Sequence, residues 1–217
     1  MNFLLKLIFL WRKPKIIIVT GNNRKTTIEA IFCLLNQNFK VARFQEKVGD
    51  ILNIVKNEIL IVGDNLTESP VIESIKFLAR KSQLPLLVVN HFGDSMQNKD
   101  ISQSKKIAKI LPAQAFLIRN FDDETFGGLK ENTNLQEVTF GFQEGADFQI
   151  SDIKLNSGTN FKINHKGNIV PIWLGKPIGK EQIYSTLAAA AVGTILGLNL
   201  VEISSALKNY NPILEKM

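Results

Sequence analysis

Several scarcities narrow this sequence before any motif is read. Among 217 residues there is one cysteine, Cys33, which excludes an internal disulfide framework and suits a reducing compartment. Cys33 sits in an apolar helical pattern and reads as core. The two histidines, His91 and His165, form no His/Cys cluster at zinc-ligand spacing, and no Ser-His-Asp set stands out. Long apolar runs are missing too. The N-terminal stretch 3–11 is broken by Lys6 and is too short to span a bilayer. Charge of one sign is lacking outside the N-terminus. Of the net +6, the group Lys6, Arg12, Lys13 and Lys15 supplies +4, leaving +2 for the rest. A basic stripe with interleaved aromatics, the footprint of a nucleic-acid binder, is absent, so no nucleic-acid partner is expected.

What remains is an ordinary globular composition, 45% apolar and 21% charged, long enough for one large domain with a small appendage. Residues 1–14 read as a linker-like helix docked on that domain. Its apolar bulk, Trp11 and flanking cations leave a weak membrane-surface contact through residues 1–13 as the alternative.

From residue 15 onward, apolar runs and helical patterns alternate. KIIIVTG (15–21) is a β-branched strand, 26–36 a helix and 39–44 a strand, the βαβ signature of a parallel sheet. Further strands are expected at 58–64, 85–90 and 115–120, with helices over 69–82 and 100–111. After Glu137 the strands become shorter and more polar. An antiparallel section is expected there, with a hairpin at Lys166-Gly167. An Ala-rich helix over 182–197 and a last one over 201–210 close the pattern. The expected fold class is α/β: a P-loop-type, mostly parallel sheet flanked by helices, with an antiparallel section in the C-terminal half.

The chemistry is concentrated in TGNNRKTT (20–27), between a buried strand and a helix. In that context backbone N–H groups of a tight turn and a helix N-terminus converge on anionic oxygens. Gly21 permits the turn. Asn22, Asn23, Arg24, Lys25, Thr26 and Thr27 are the candidate nucleotide contacts, with Lys25 at the terminal phosphates and the Thr26 hydroxyl on a phosphate-bound magnesium. Arg24 stands where such loops usually have glycine, and there it obstructs a positive-φ geometry or close phosphate approach. An ordinary βα turn with surface charges is the competing reading. Asp64, ending a buried strand, is either a magnesium ligand or a turn former. Asn90, His91 and Asp94 follow the next strand, at the sheet edge where open α/β folds bind ligands. A plain loop residue is the other reading of His91.

These segments together resemble the Mur ligase family, specifically its central ATP-binding domain. KPKIIIVTGNNRKTT resembles the family's opening strand and its T-G-x-N-G-K-T-T loop. LIRNFDDETF resembles its N-x-D-D segment, VTFGFQEGADFQISDIKL the strand pair after it, and residues 178–217 the final helices. The resemblance covers 13–217, so 15–217 is expected to be one such domain. The likeness is strongest to the member that joins D-alanyl-D-alanine to a UDP-muramoyl tripeptide. The implied activity is ATP-dependent amide bond formation through an acyl phosphate, in peptidoglycan precursor synthesis. The implied cofactors are ATP and Mg2+, and the implied substrates are a UDP-muramoyl peptide and D-alanyl-D-alanine. Location is expected to be cytoplasmic, with the inner membrane surface as an alternative.

By the same resemblance Lys25 and Lys105 are the catalytic candidates, Lys105 as the family's carbamylated lysine with Lys106 one position away. Asn120 and Asp123 face the nucleotide, and Thr26 and Asp64 hold the metal. There are departures. Arg24 replaces the loop glycine, Gly63 falls at a magnesium-binding glutamate, Ser95 at a histidine, and Glu181-Gln182 at a His-Asn pair. No counterpart of the family's N-terminal substrate domain is evident, and the sequence stops about where its C-terminal domain begins. The resulting expectation is an incomplete or split ligase, with a partner chain supplying the missing domain. The alternative is a catalytically degenerate module of the same fold that binds a nucleotide or a partner.

Overall fold

A computed structural model of the chain describes residues 3–44, 50–63, 69–90, 98–126, 134–155 and 158–210. Its frame is one nine-stranded sheet in the order β2-β3-β1-β4-β5-β6-β7-β8-β9. The strands are β1 (Lys15–Thr20), β2 (Val41–Arg43), β3 (Ile59–Val62), β4 (Pro85–Val89), β5 (Phe116–Asn120), β6 (Gln136–Gly141), β7 (Phe148–Leu155), β8 (Thr159–His165) and β9 (Asn168–Leu174). The helices are α1 (Phe3–Arg12), α2 (Arg24–Leu35), α3 (Asp50–Lys56), α4 (Ser69–Lys81), α5 (Asn98–Ile110), α6 (Lys180–Ile195) and α7 (Leu200–Leu207).

The all-apolar character of β1, β3 and β4 has a direct cause: both faces of this part of the sheet are covered. Ile17, Val19, Ile61 and Val88 point into one core with α2, α6 and α7. Ile16, Ile18, Leu60 and Leu87 point into the other, under α1, α3, α4 and α5. Ala188, Ala189, Ala190 and Ala191 are fully buried, and these small side chains let α6 lie close against α2. At Gly193 a Cβ would stand 2.9 Å from Leu34 Cδ2, so the approach continues past the alanines.

The expected fold class holds, with one correction. The antiparallel section does not begin after Glu137. β6 pairs in parallel with β5, and β7 in parallel with β6. Only β7–β8 and β8–β9 are antiparallel. The polar alternation that suggested the switch reflects one-sided burial instead. β7 overlaps β6 through two residue pairs, because the chain between them folds back locally. The Asp147 carboxylate accepts from the Thr139 N–H at 2.8 Å and from its hydroxyl at 2.9 Å. The expected hairpin turn is present, with Lys166 and Gly167 both at positive φ.

On α1, Leu5 and Phe9 are buried one turn apart, which contributes roughly 4–5 kcal/mol of apolar burial. Its other face exposes Phe3, Leu4, Leu7 and Trp11. Among the described residues no helix is long and apolar enough to cross a membrane. α3 was not legible in the sequence. Cys33 packs against the core but is only partly buried, and burial pushes its thiol pKa up.

Candidate functional site

The carboxyl ends of β1 and β4 approach so closely that position 21 has no room for a side chain. Gly21 adopts φ +108, and a Cβ there would lie 2.0 Å from the Asn90 carbonyl oxygen. Glycine is therefore required twice over, by conformation and by space. The chain turns through Asn22 and Asn23 and enters α2 at Arg24. Arg24 is helical and at negative φ, so the expected backbone conflict does not arise.

The start of α2 is unusual in its charge. The N-cap Asn23 makes no side-chain cap hydrogen bond, and the first turn holds no acid. Arg24 and Lys25 occupy it instead. Cations at the positive end of a helix dipole are each unfavourable by roughly 0.3–1 kcal/mol. By contrast, the N-terminus of α7 is closed: Asn199 Oδ1 accepts from the Val201 and Glu202 N–H groups, and the Glu202 carboxylate accepts from the Asn199 N–H. Around α2, Asn23 is 8% exposed, yet its Nδ2 has no partner, nor has the buried Nε of Arg24. Two buried donors, Asn23 Nδ2 and Arg24 Nε, thus stand unpartnered at a helix N-terminus, a place that suits an anion.

The two threonines of the loop divide. Thr26 is partly exposed, and its carbonyl accepts from the Tyr210 hydroxyl at 3.3 Å. Burial raises the Tyr210 pKa, so this hydroxyl remains a donor. Thr27, expected at the nucleotide, is fully buried. Its hydroxyl donates to the Asn23 carbonyl at 2.8 Å, accepts from Asn90 Nδ2 at 2.8 Å and lies 3.1 Å from the Ser185 hydroxyl. Thr27 thus ties α2, β4 and α6 together behind the loop. Its hydroxyl is engaged there by protein groups.

Beside the loop, a cavity of about 170 Å³ is lined by Lys25, Ile28, Glu29, Arg43, Ile61 and Gly63. A Cβ at Gly63 would meet Ile28 Cδ1 at 2.2 Å and Arg24 Cγ at 3.5 Å. The end of the Ile28 side chain therefore occupies the space a Cβ at 63 would enter, with the Arg24 stem in van der Waals contact beside it. Asp64, like His91, Asp94 and Ser95, lies outside the described residues. Among the described residues no group of three or more His, Cys, Asp or Glu is placed to hold a metal ion, and the described lining of the cavity carries one carboxylate, Glu29, with Lys25 and Arg43. A roomier groove of about 620 Å³, between α1 and α4, is lined by Lys6, Phe77 and Arg80 among others. It contains none of the loop residues, so its size does not mark the chemistry.

The remaining candidates fall in two places. Asn120, 3% exposed at the end of β5, accepts through Oδ1 from the Asp122 N–H. Asp123 accepts from the Thr125 N–H at 3.0 Å in a local turn. The sequence reading passed over Asp122. Its carboxylate accepts from the Tyr184 hydroxyl at 2.7 Å and from the N–H groups of Phe142 and Gln143 at 2.7 and 3.0 Å. Burial first, and the Asp122 hydrogen bond second, hold the Tyr184 pKa well above its usual value. Gly141 was the available signal, since a Cβ there would stand 2.6 Å from Asp122 Oδ1. Gln182 and Glu181 are engaged at the start of α6. Gln182 Oε1 accepts from the Gly179 N–H, and the Glu181 carbonyl from the Ser185 hydroxyl. Lys105 and Lys106 are exposed on α5, which packs on the sheet face opposite α2. No described contact joins either lysine to the loop.

With this geometry in place, comparison with known proteins is informative. The family described as Mur ligase middle domain matches residues 89–193, a segment that runs from the end of β4 into α6 and leaves the loop outside it. A UDP-N-acetylmuramate–L-alanine ligase of Dictyoglomus turgidum is 27% identical over 211 residues, covering 94% of this chain and 45% of that protein. A UDP-N-acetylmuramoyl-L-alanyl-D-glutamate–2,6-diaminopimelate ligase of Chlamydia abortus is 27% identical over 206 residues, covering 80% and 41%. The chain thus spans less than half the length of these relatives. Among solved structures, a MurF ligase from Thermotoga maritima in complex with ADP superposes with a TM-score of 0.73 at 17% identity, covering 93% of this chain and 50% of that one. The matches support the Mur ligase family and its fold. They do not single out the member that adds D-alanyl-D-alanine, because the curated relatives are mostly named as L-alanine ligases.

Proposed function

We propose, taking this chain as a Mur-ligase-type central domain, that it is the nucleotide-binding core of an ATP-dependent ligase of peptidoglycan precursor synthesis. One observation carries the reading. The N-terminus of α2 has no side-chain cap and no acid in its first turn, and there the buried Nδ2 of Asn23 and Nε of Arg24 form a pair of donors without partners. A triphosphate supplies the acceptors they lack. In the reaction, a substrate carboxylate oxygen attacks the γ-phosphorus of ATP, the bond to ADP breaks, and an acyl phosphate forms. An amine then attacks the acyl carbon and expels phosphate. No protein nucleophile takes part. The protein's share is to hold and neutralise the phosphates, with the Lys25 ammonium as a point charge at the transferring group. Asn120 and Asp123 are assigned to the nucleotide's far side. The family's magnesium would fall to Thr26 and Asp64, and Lys105 would supply negative charge if carbamylated. The acceptor is a UDP-muramoyl peptide and the amine D-alanyl-D-alanine, with a partner chain completing the site.

A second reading has its own support. Gly63 offers no carboxylate, and the end of the Ile28 side chain occupies the space beside it, which favours a module that binds nucleotide without ligating. Phosphate release with a UDP-muramoyl peptide and D-alanyl-D-alanine, with and without a candidate partner chain, separates the two. Release above background supports the ligase, and binding without release supports the module. If millimolar ATP leaves the melting temperature unchanged, both readings fail, because a ligand specific to the folded state must stabilise it.

The proposed location is the cytoplasm, with the inner membrane surface as the alternative. Phe3, Leu4, Leu7 and Trp11 are exposed beside Lys6 and Arg12, which suits a headgroup boundary. Deleting α1 would remove Leu5 and Phe9 from the core, so the better variant is Phe3→Ser with Trp11→Ser. It should lose sedimentation with anionic vesicles, and unchanged sedimentation rejects the contact.

A further inference from the structure

We propose that the groove between α1 and α4 receives the headgroup phosphates of anionic phospholipids while the outer face of α1 lies in the membrane interface. This rests on the membrane-surface alternative above and adds where on the molecule the lipid phosphates bind.

Exposed apolar residues scattered singly need no explanation, but on α1 they are gathered. Leu5 and Phe9 turn inward, so Phe3, Leu4, Leu7, Leu10 and Trp11 share the opposite, exposed face. α3 packs against α1 and exposes Leu52 and Val55 as well. At ten residues α1 is too short to cross a bilayer and is suited to lie along one.

What selects a lipid surface over an apolar protein face is the charge on one flank of this stripe. The helical phase puts Lys6 next to Phe3 and Leu10, on the side that meets α4. There the groove of about 620 Å³ is lined by Lys6, Lys76, Arg80 and Lys81, with Phe77 and Glu73 among them. Arg80 and Lys81 have a local reason to be basic, since they end α4, where the helix dipole favours cations. Lys6 and Lys76 stand within their helices and have no such reason, yet they open on the same groove. The Lys6 ammonium lies 5.6 Å from the centre of the Phe77 ring, which holds its stem against the groove wall. The boundary of an anionic bilayer presents apolar chains beside a layer of phosphates, which matches an apolar stripe bordered by cations. Trp11, with the Arg12 guanidinium 5.7 Å from its ring, repeats that pairing at the end of the helix.

Flotation of the full chain with vesicles of phosphatidylcholine alone, and of an equal mixture with phosphatidylglycerol, tests this. The expected result is binding to the mixed vesicles only, weakened as ionic strength rises. Each cation near an anionic surface adds about fivefold in affinity. Arg80→Gln with Lys81→Gln should therefore weaken binding about twenty-fold at an unchanged melting temperature, and Arg80→Lys with Lys81→Arg should bind like wild type. Phe3→Ser with Trp11→Ser should abolish binding. If Arg80→Gln with Lys81→Gln binds as tightly as wild type, the groove is not the phosphate site and the inference is overturned, while the membrane contact of α1 stands. Equal binding to the two kinds of vesicle has the same meaning. Binding to neither overturns both, and a dimer that Phe3→Ser with Trp11→Ser then separates, read by light scattering, identifies a second copy as what covers α1.

Discussion

Two polar clusters lie along the carboxyl edge of the sheet, and they are built in opposite ways. At the end of β5 and β6, the Asp122 carboxylate takes three protein donors, from Tyr184, Phe142 and Gln143. At the end of β1, Asn23 Nδ2 and Arg24 Nε are buried without partners, as is Asn90 Oδ1. The first cluster is complete without a ligand. The second becomes complete when something else supplies acceptors to Asn23 and Arg24 and a donor to Asn90. Unsatisfied groups are costly in a folded chain, so their concentration in one loop distinguishes a binding region from a structural one.

The sharpest way to break this contrast is to remove the satisfied carboxylate. Asp122→Ala leaves the Phe142 and Gln143 N–H groups and a partly buried tyrosine without an acceptor. The expected destabilisation is about 3 kcal/mol, read as a melting temperature lower by about 10 °C. The shift produced by ATP should survive, since none of these groups belongs to the loop. If instead stability is unchanged and the ATP shift disappears, the two clusters have been assigned the wrong way round. Next in size is Gly21→Ala. It places a methyl group against the Asn90 carbonyl at a φ that alanine rarely adopts, and should cost about 2–3 kcal/mol while also abolishing the ATP shift. Loss of both stability and binding is the expected signature of a loop residue that the packing of β1 against β4 also requires.

Thr27 sharpens the boundary within the loop. Thr27→Val removes the hydroxyl that joins Asn23, Asn90 and Ser185, so denaturant unfolding should show a loss of about 1–2 kcal/mol. Nucleotide affinity, measured where the protein is still folded, should change little. A large loss of affinity with intact stability would return Thr27 to the phosphates.

How much of this was legible differs between the two clusters. The loop could be read because its elements are contiguous: a β-branched strand, a glycine, a basic pair and a helix follow one another in eleven or so residues. The parallel sheet could be read for a related reason, since strands buried on both faces become uniformly apolar. The structural role of Asp122 was not visible beside Asp123 because adjacent aspartates look alike in sequence. What separates them is the return of β6 and α6 to the same corner, and Tyr184 is 62 residues away along the chain. The pairing of β6 and β7 was missed for the same kind of reason, as half-buried parallel and antiparallel strands share one alternation. Thr27 carried a motif's role, but which of two neighbouring hydroxyls faces inward depends on the helix phase against α6.

The smallest effect on stability should come from Lys25→Ala, and it is the most diagnostic for that reason. The ammonium stands in the first turn of α2, where the helix dipole disfavours it. Removing it should change the stability of the ligand-free protein by no more than about 0.5 kcal/mol. With wild-type protein at a hundred times its dissociation constant, ATP should contribute about 2.7 kcal/mol, and in Lys25→Ala most of that should vanish. A residue that matters little to the empty fold and greatly to the bound one is held in an unfavourable place by its ligand. If the ATP shift persists in Lys25→Ala, the phosphates are gripped elsewhere, and the open cluster at α2 loses the meaning given to it.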